Sequence, residues 1–178
     1  MRPRRTGMFV AALLTASVAA CTSEPATTAP PPGTPSASAS ASPQPRELAV
    51  AAYIGMWRSY EKALAAGDPN TPDLRTFADG PALQLLTRAV RSSSEAGLRG
   101  TGTTALSPKI GGTYPVSAPT QATVTDCMDT SATRLYRPDG QPYADIPGGR
   151  RQMTATVALA ADGVWRVNQI KLGEVGSC

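Results

Sequence analysis

The chain has 178 residues, enough for one ordinary domain with extensions, and it contains 17 basic residues, 13 acidic residues and no histidine. Arg2, Arg4 and Arg5 precede Cys21, and without them 14 basic residues remain against 13 acidic ones, so the rest of the chain is close to neutral. Interspersed charges of both signs argue against nucleic-acid binding, and the missing histidine excludes Ser-His-Asp and Cys-His catalysis.

The first twenty residues have the organisation of an export signal. Arginines in residues 1–7 precede an apolar stretch, residues 8–20, that is shorter than the roughly 20 residues of a spanning helix. The stretch ends in Val18-Ala19-Ala20-Cys21, which resembles the lipobox of bacterial lipoproteins. The resemblance implies cleavage before Cys21 and acylation of its thiol, with the protein anchored by lipid at the extracytoplasmic face of the cell membrane. The alternative is an ordinary signal peptide cleaved at Ala-x-Ala, with Cys21 incidental.

Residues 21–46 form a segment rich in serine, threonine, alanine and proline. After Cys21 it contains no aromatic or large aliphatic residue. Such a segment cannot bury enough apolar surface to offset the entropy of ordering, so a disordered tether is predicted. The predicted organisation is therefore a signal peptide at 1–20, a lipidated cysteine and tether at 21–46, and one folded domain at 47–178.

The folded domain opens with a predicted amphipathic helix over residues 47–66. Its apolar side chains recur at helical spacing, at positions Tyr53, Met56, Trp57, Tyr60 and Leu64. Gly67 is expected to end the helix. An aromatic stripe of this kind usually belongs to the core, so Tyr53, Trp57 and Tyr60 are predicted to be core residues, with the lining of a ligand pocket as the alternative.

Two shorter helices are predicted next. Thr71 and Pro72 have the pattern of an N-cap followed by proline at the first helical position, which opens a helix through Phe77. Asp79 is the expected cap of a third helix that carries leucines at helical spacing and ends near Gly97.

Beyond residue 98 the apolar period changes to two, which predicts strands. Strands are expected within 116–127 and over 134–136, 152–160 and 164–172, separated by turns at 137–140 and 162–163. Met153, Ala155, Val157 and Leu159 share one face of the third of these strands. Helices followed by an antiparallel meander predict an α+β domain.

This order of elements resembles the NTF2-like, cystatin-type cone fold. The resemblance covers residues 47–178 and includes the strand motif Gly163-Val-Trp-Arg-Val167. The motif Val124-Thr-Asp-Cys-Met-Asp129 and the terminal Cys178 also resemble uncharacterised lipoprotein domains of actinobacteria. The resemblance implies a curved sheet that wraps around the first helix and leaves a pocket at the open end of the cone.

Cys127 and Cys178 remain as a pair once Cys21 is assigned to lipid. In an oxidising compartment an even pair predicts a disulfide, which would fix the C-terminus across the sheet. A redox pair or metal ligands are the alternatives, but the chain has neither a Cys-x-x-Cys motif nor histidine.

The sequence offers few candidates for catalysis. Asp126 and Asp129 are the carboxylates associated with a strand, and hydrogen bonding at the surface or at a strand end is expected for both. No catalytic residue, metal site or cofactor is therefore predicted.

The predicted function is non-catalytic binding of an envelope partner protein or a small apolar ligand. The alternatives are an NTF2-like (SnoaL-type) isomerase or dehydratase acting on a small hydrophobic substrate, and a structural role in the cell wall. A deep cone with an unpaired aspartate would favour the enzyme.

Overall fold

The computed structural model describes residues 44–178, so the leader, Cys21 and the tether up to residue 43 lie outside the described residues. The described part is an α+β domain in which helices precede an antiparallel sheet. In chain order its elements are α1 (Pro45–Ala66), α2 (Pro72–Phe77), α3 (Gly80–Glu95), β1 (Arg99–Thr101), β2 (Lys109–Tyr114), β3 (Gln121–Asp129), β4 (Arg134–Tyr136), β5 (Arg150–Leu159) and β6 (Trp165–Leu172).

Helix α1 buries the face that the apolar spacing predicts. Its buried residues are Ala49, Ala52, Tyr53, Met56, Trp57, Ser59 and Ala63. The helix begins two residues before the predicted Glu47, because Pro45 suits the first turn and the Glu47 carboxylate accepts a hydrogen bond from the Gln44 backbone N–H at 3.1 Å. It ends where predicted, since Gly67 adopts the left-handed conformation with φ of 67°.

Helices α2 and α3 also form where the sequence predicts them. Pro72 occupies the first position of α2. Asp79 lies at the N-cap position of α3, but its carboxylate makes no capping bond and accepts a hydrogen bond from the Asn168 amide of β6 at 3.0 Å. The predicted cap therefore joins α3 to the sheet.

The main sheet has the order β2-β3-β5-β6, and every neighbouring pair is antiparallel. Helix α1 contacts all four strands. Strict alternation along the central strands directs one side of the sheet into the core. The buried residues on that side are Ala122, Val124, Asp126, Met128, Met153, Ala155, Val157, Trp165 and Val167. Leu159, predicted to share this face, is 38% exposed at the end of β5.

Two features of the sheet differ from the sequence prediction. The strand predicted within 116–127 begins only at Gln121, because Thr120 N–H donates to the Tyr114 carbonyl and closes a hairpin that leaves Val116 86% exposed. Strand β2 was not predicted, since Lys109–Tyr114 contains adjacent glycines and lacks alternation. It forms because β3 supplies hydrogen-bond partners along one edge.

The strand predicted over 134–136 is confirmed as β4, but its predicted place in the meander is wrong. Strand β4 leaves the main sheet and pairs with β1, which was not predicted, in a separate two-stranded antiparallel sheet. Leu135 of β4 lies opposite Gly100 of β1. Three-residue strands carry too little alternation to reveal their partner, so the pairing depends on where the longer elements bring these segments.

The predicted disulfide between Cys127 and Cys178 is confirmed, with a Cα–Cα distance of 5.9 Å. Cys127 lies on the side of β3 that faces away from the core. The bridge fixes the segment after β6 across β3 and β5, where the Gly176 N–H also donates to the Arg150 carbonyl and the Gln152 N–H donates to the Ser177 hydroxyl at 2.8 Å. The C-terminal segment is therefore held on the outer side of the sheet.

Candidate ligand-binding site

A cavity of about 560 Å³ lies among α1, α3, the two-stranded sheet and one end of the main sheet. Its volume falls within the range that small-molecule sites occupy. Most of its lining is apolar. The apolar lining residues are Trp57, Tyr60, Leu64, Leu85, Leu86, Ala89, Met128, Leu135, Ile146, Pro147, Ile170 and Leu172. Helix packing and strand alternation thus leave a pocket suited to hydrocarbon.

Two of the three predicted aromatic residues line this cavity. The rings of Trp57 and Tyr60 meet edge to face, with centroids 5.7 Å apart. Tyr53 is completely buried in the core and is absent from the lining. Burial raises the pKa of the Tyr60 hydroxyl, so this group is protonated and neutral at physiological pH. The aromatic stripe of α1 therefore contributes Tyr53 to the core and Trp57 and Tyr60 to the cavity wall.

Tyr53 instead forms a buried polar pair with Asp126. The Tyr53 hydroxyl donates to Asp126 Oδ2 at 3.1 Å, and the Ser107 backbone N–H donates to Asp126 Oδ1 at 2.9 Å. Burial and the neighbouring carboxylate raise the pKa of Tyr53 well above its usual value, while the indole of Trp57 opposes the shift. Asp126 is only 3% exposed, so its predicted placement at the surface or at a strand end is wrong. It faces the core because its position follows the alternation of Ala122 and Val124.

Asp129 is the last residue of β3, which confirms its predicted position at a strand end, and it does not join Asp126. Its carboxylate accepts a hydrogen bond from the Ser131 backbone N–H at 2.8 Å, and this bond lowers the pKa of Asp129. The two candidate carboxylates therefore have separate structural partners. Among residues 44–178 no group of three or more acidic or cysteine side chains is arranged to hold a metal ion.

The acidic residues of the cavity lining have hydrogen-bond donors of their own. Glu61 accepts from Arg58 Nη1 at 2.9 Å and from the Thr104 backbone N–H at 2.7 Å. Asp145 accepts from the Leu135 backbone N–H at 2.7 Å. Through these bonds the two carboxylates hold the backbone of Thr104 and of β4 at the cavity wall.

The segment between β4 and β5 forms part of the cavity rim. Asp145 attaches it to β4, and Gly149 attaches it to Thr130 through hydrogen bonds in both directions. Between these attachments Ile146 lines the cavity, yet the residue is 86% exposed. Gly148 fits closely under Thr130, since an added Cβ would collide with the Thr130 carbonyl oxygen. Glycine is thus required where the rim passes the end of β3.

Arg151 is a charged lining residue that was not predicted from the sequence. It lies opposite Met128 in the β3–β5 register, two residues before Met153, and therefore belongs to the core-facing side of β5. Its Nε atom is buried and has no hydrogen-bond partner among the described residues. The sequence contains a signal for this placement, since position 151 continues the period of two set by Met153, Ala155 and Val157.

The remaining predicted sites lie outside this cavity. Cys127 and Cys178 form their disulfide on the far side of the sheet, and the lipidation candidate Cys21 lies outside the described residues. Within residues 44–178, each helix is too short or too polar to cross a membrane.

Comparison by sequence finds no protein-family model and no curated protein that matches this chain. Among solved structures, the chain is similar to the intermembrane space region of the chloroplast protein ARC6, with a TM-score of 0.52 and 15% sequence identity. The similarity covers 74% of this chain and 98% of the ARC6 chain. At this identity the similarity concerns the fold alone, an α+β arrangement of helices and antiparallel sheet.

Proposed function

We propose that the chain is a bacterial envelope lipoprotein, of the actinobacterial type that its motifs resemble, whose folded domain binds a small apolar ligand without catalysis. The lipobox at residues 18–21 supports export and acylation of Cys21, and the predicted tether separates the anchor from the domain. The disulfide supports an oxidising location outside the cytoplasm. Lipid anchoring would hold the binding domain at the extracytoplasmic face of the cell membrane.

The apolar cavity of about 560 Å³ is the observation that carries the binding proposal. In the NTF2-like interpretation it is the open end of the cone, with α1 along one wall and the sheet along another. Trp57 and Tyr60 supply aromatic surface, and leucines of α1 and α3 supply aliphatic surface. Such a lining favours the hydrocarbon part of a small molecule over a polar substrate.

The enzymatic alternative has weaker support. A general base needs a carboxylate that is accessible and free to accept a proton from substrate. Asp126 is buried and paired with Tyr53, while Glu61 and Asp145 at the cavity wall accept backbone hydrogen bonds. The arrangement therefore supports binding over isomerase or dehydratase chemistry.

The anchor can be tested in a high-GC Gram-positive host. Metabolic labelling with palmitate is expected to label the full chain, and Cys21→Ser is expected to abolish the label. Globomycin should cause the unprocessed form to accumulate. An unlabelled protein that stays in the cytosol would contradict the lipoprotein proposal.

The cavity can be tested with N-phenyl-1-naphthylamine, a neutral probe that fluoresces in apolar surroundings. The full mature chain carrying Cys21→Ser allows the assay without detergent. Ser93 lines the cavity and Ser92 is exposed on the same helix, so Ser93→Phe and Ser92→Phe are a matched pair. Ser93→Phe is expected to weaken probe binding at least tenfold, and Ser92→Phe to leave it unchanged. Equal affinities in the two variants, or no binding to the parent chain, would contradict the proposal.

A further inference from the structure

We propose that the ligand of this cavity is an amphiphile whose single anionic group, a carboxylate or a phosphate, binds to Arg151 while its hydrocarbon part lies against the apolar wall. The inference rests on the proposed binding function and adds the chemical class of the ligand. It follows from the position of one charged residue on an otherwise core-facing side of β5.

The register fixes the direction of Arg151. The residues that follow it at intervals of two, Met153, Ala155 and Val157, are completely buried, and its partner across the sheet, Met128, is 1% exposed. Arg150 lies on the opposite side of β5, where its guanidinium donates to Cys127 Sγ. Arg150 therefore lies on the outer face of the sheet, and Arg151 lies at the cavity.

Arg151 is half-buried, and its guanidinium has no protein partner among the described residues. Its Nε is buried without a hydrogen-bond acceptor, and the ion pairs among residues 44–178 do not include it. A buried N–H without an acceptor is unfavourable, so a ligand that supplies an acceptor is favoured, and the positive charge of the guanidinium makes an anion the preferred ligand. Arginine also binds carboxylate and phosphate groups through two parallel hydrogen bonds.

Other charged groups at the cavity already have partners. Arg134 donates to the backbone carbonyls of Ser131 and Thr133. Glu61 forms its ion pair with Arg58, which does not line the cavity. Arg151 is therefore the cation of the described lining whose side chain has no hydrogen-bond acceptor among residues 44–178.

The rest of the lining suits the other end of an amphiphile. From Arg151 the wall continues through apolar side chains of α1, α3 and β6, including Leu64, Leu86, Ile170 and Leu172. A cavity of about 560 Å³ has room for a ligand of ordinary small-molecule size. One charged contact combined with hydrocarbon burial would set the orientation of the ligand.

The test uses the Cys21→Ser full mature chain and displacement of N-phenyl-1-naphthylamine by dodecanoate, dodecyl phosphate and dodecanol. These compounds share one hydrocarbon chain and differ in the head group. Dodecanoate or dodecyl phosphate is expected to bind at least tenfold more tightly than dodecanol, and the order of the two anions identifies the preferred head group. Arg151→Gln should remove this preference, whereas Arg151→Lys should retain part of it.

Arg150→Gln is the matched control, since it removes the same charge from the opposite side of the same strand. It should preserve the anion preference, and circular dichroism should show that all variants fold. If the anions and dodecanol bind equally well to the parent chain, or if Arg151→Gln leaves the preference intact, the inference is overturned while the binding proposal stands. If the probe and all three compounds fail to bind the parent chain, the binding proposal fails as well.

Discussion

The buried pair of Tyr53 and Asp126 allows a quantitative prediction about stability. Tyr53→Phe removes a hydroxyl from a completely buried side chain and leaves Asp126 Oδ2 without its donor. Leaving a buried charged acceptor without its donor costs about 2–3 kcal/mol, because no water replaces the lost partner. For a domain of this size the corresponding decrease in melting temperature is about 10 °C.

Thermal and urea unfolding of the oxidised chain would measure this effect. Tyr60→Phe is a suitable control, because burial raises the pKa of its hydroxyl with no contribution from a hydrogen bond to a described residue. A change below about 0.5 kcal/mol is expected. A double-mutant cycle with Asp126→Ala should give a coupling energy of about 1.5 kcal/mol or more. Additive effects, or a Tyr53→Phe variant as stable as the Tyr60→Phe variant, would refute the reasoning.

The same pair predicts how stability depends on alkaline pH. Burial, with the Asp126 carboxylate adding to it, raises the pKa of Tyr53 in the folded state above its usual value of 10.0. The folded state therefore retains the proton that the unfolded state releases. The stabilisation is complete below pH 10 and decreases above it, by about 1.4 kcal/mol per pH unit for one group. Tyr53→Phe lacks this loss, so the difference in unfolding free energy between parent and variant should shrink above pH 10. A constant difference up to pH 11 would contradict the assignment.

Three further predictions concern the disulfide, the cavity rim and Arg151. Replacement of Cys127 and Cys178 by serine should lower the free energy of unfolding by about 4 kcal/mol, as expected for a closed loop with a sequence separation of 51. Reduction of the parent chain should give the same loss in urea unfolding. Gly148→Ala should displace the rim from Thr130, because the added Cβ would collide with the Thr130 carbonyl oxygen. Probe binding should weaken severalfold, with a small change in melting temperature. Unchanged affinity would show that the rim does not shape the cavity. Arg151→Met should stabilise the ligand-free chain by about 1 kcal/mol in thermal unfolding, because it removes a buried Nε–H that has no acceptor among the described residues. A destabilised variant would contradict that interpretation.

Much of the architecture was predictable because local signals agree with the tertiary structure. The helical stripe from Tyr53 to Leu64, the glycine at position 67 and the alternation around Met153 each specify an element that packing then uses. The cysteine pair was predictable from parity and from the expected oxidising compartment. These features depend on residue type and spacing along a few neighbouring positions, which the sequence contains in full.

Strand β2 and the pairing of β4 with β1 could not be predicted in this way, although the strand over Arg134–Tyr136 itself was predicted. A glycine-rich edge strand forms only because β3 offers it hydrogen bonds, and a three-residue strand takes its partner from the part of the chain that folds next to it. Both depend on contacts between residues far apart in the sequence, for which short strands carry no local signal.

In the candidate site, too, some features follow from the local sequence and others depend on tertiary contacts. The sequence by itself determined the amphipathic first helix, the turns, the alternating faces of the central strands and the cysteines available for a bridge. Only the tertiary structure decided that Asp126 pairs with Tyr53 inside the core and that Trp57 and Tyr60 line a cavity. It also decided that Arg151 reaches this cavity with no hydrogen-bond acceptor among residues 44–178. The physical reason is that burial and hydrogen-bond satisfaction belong to surroundings assembled from distant segments, whereas periodicity belongs to each segment alone.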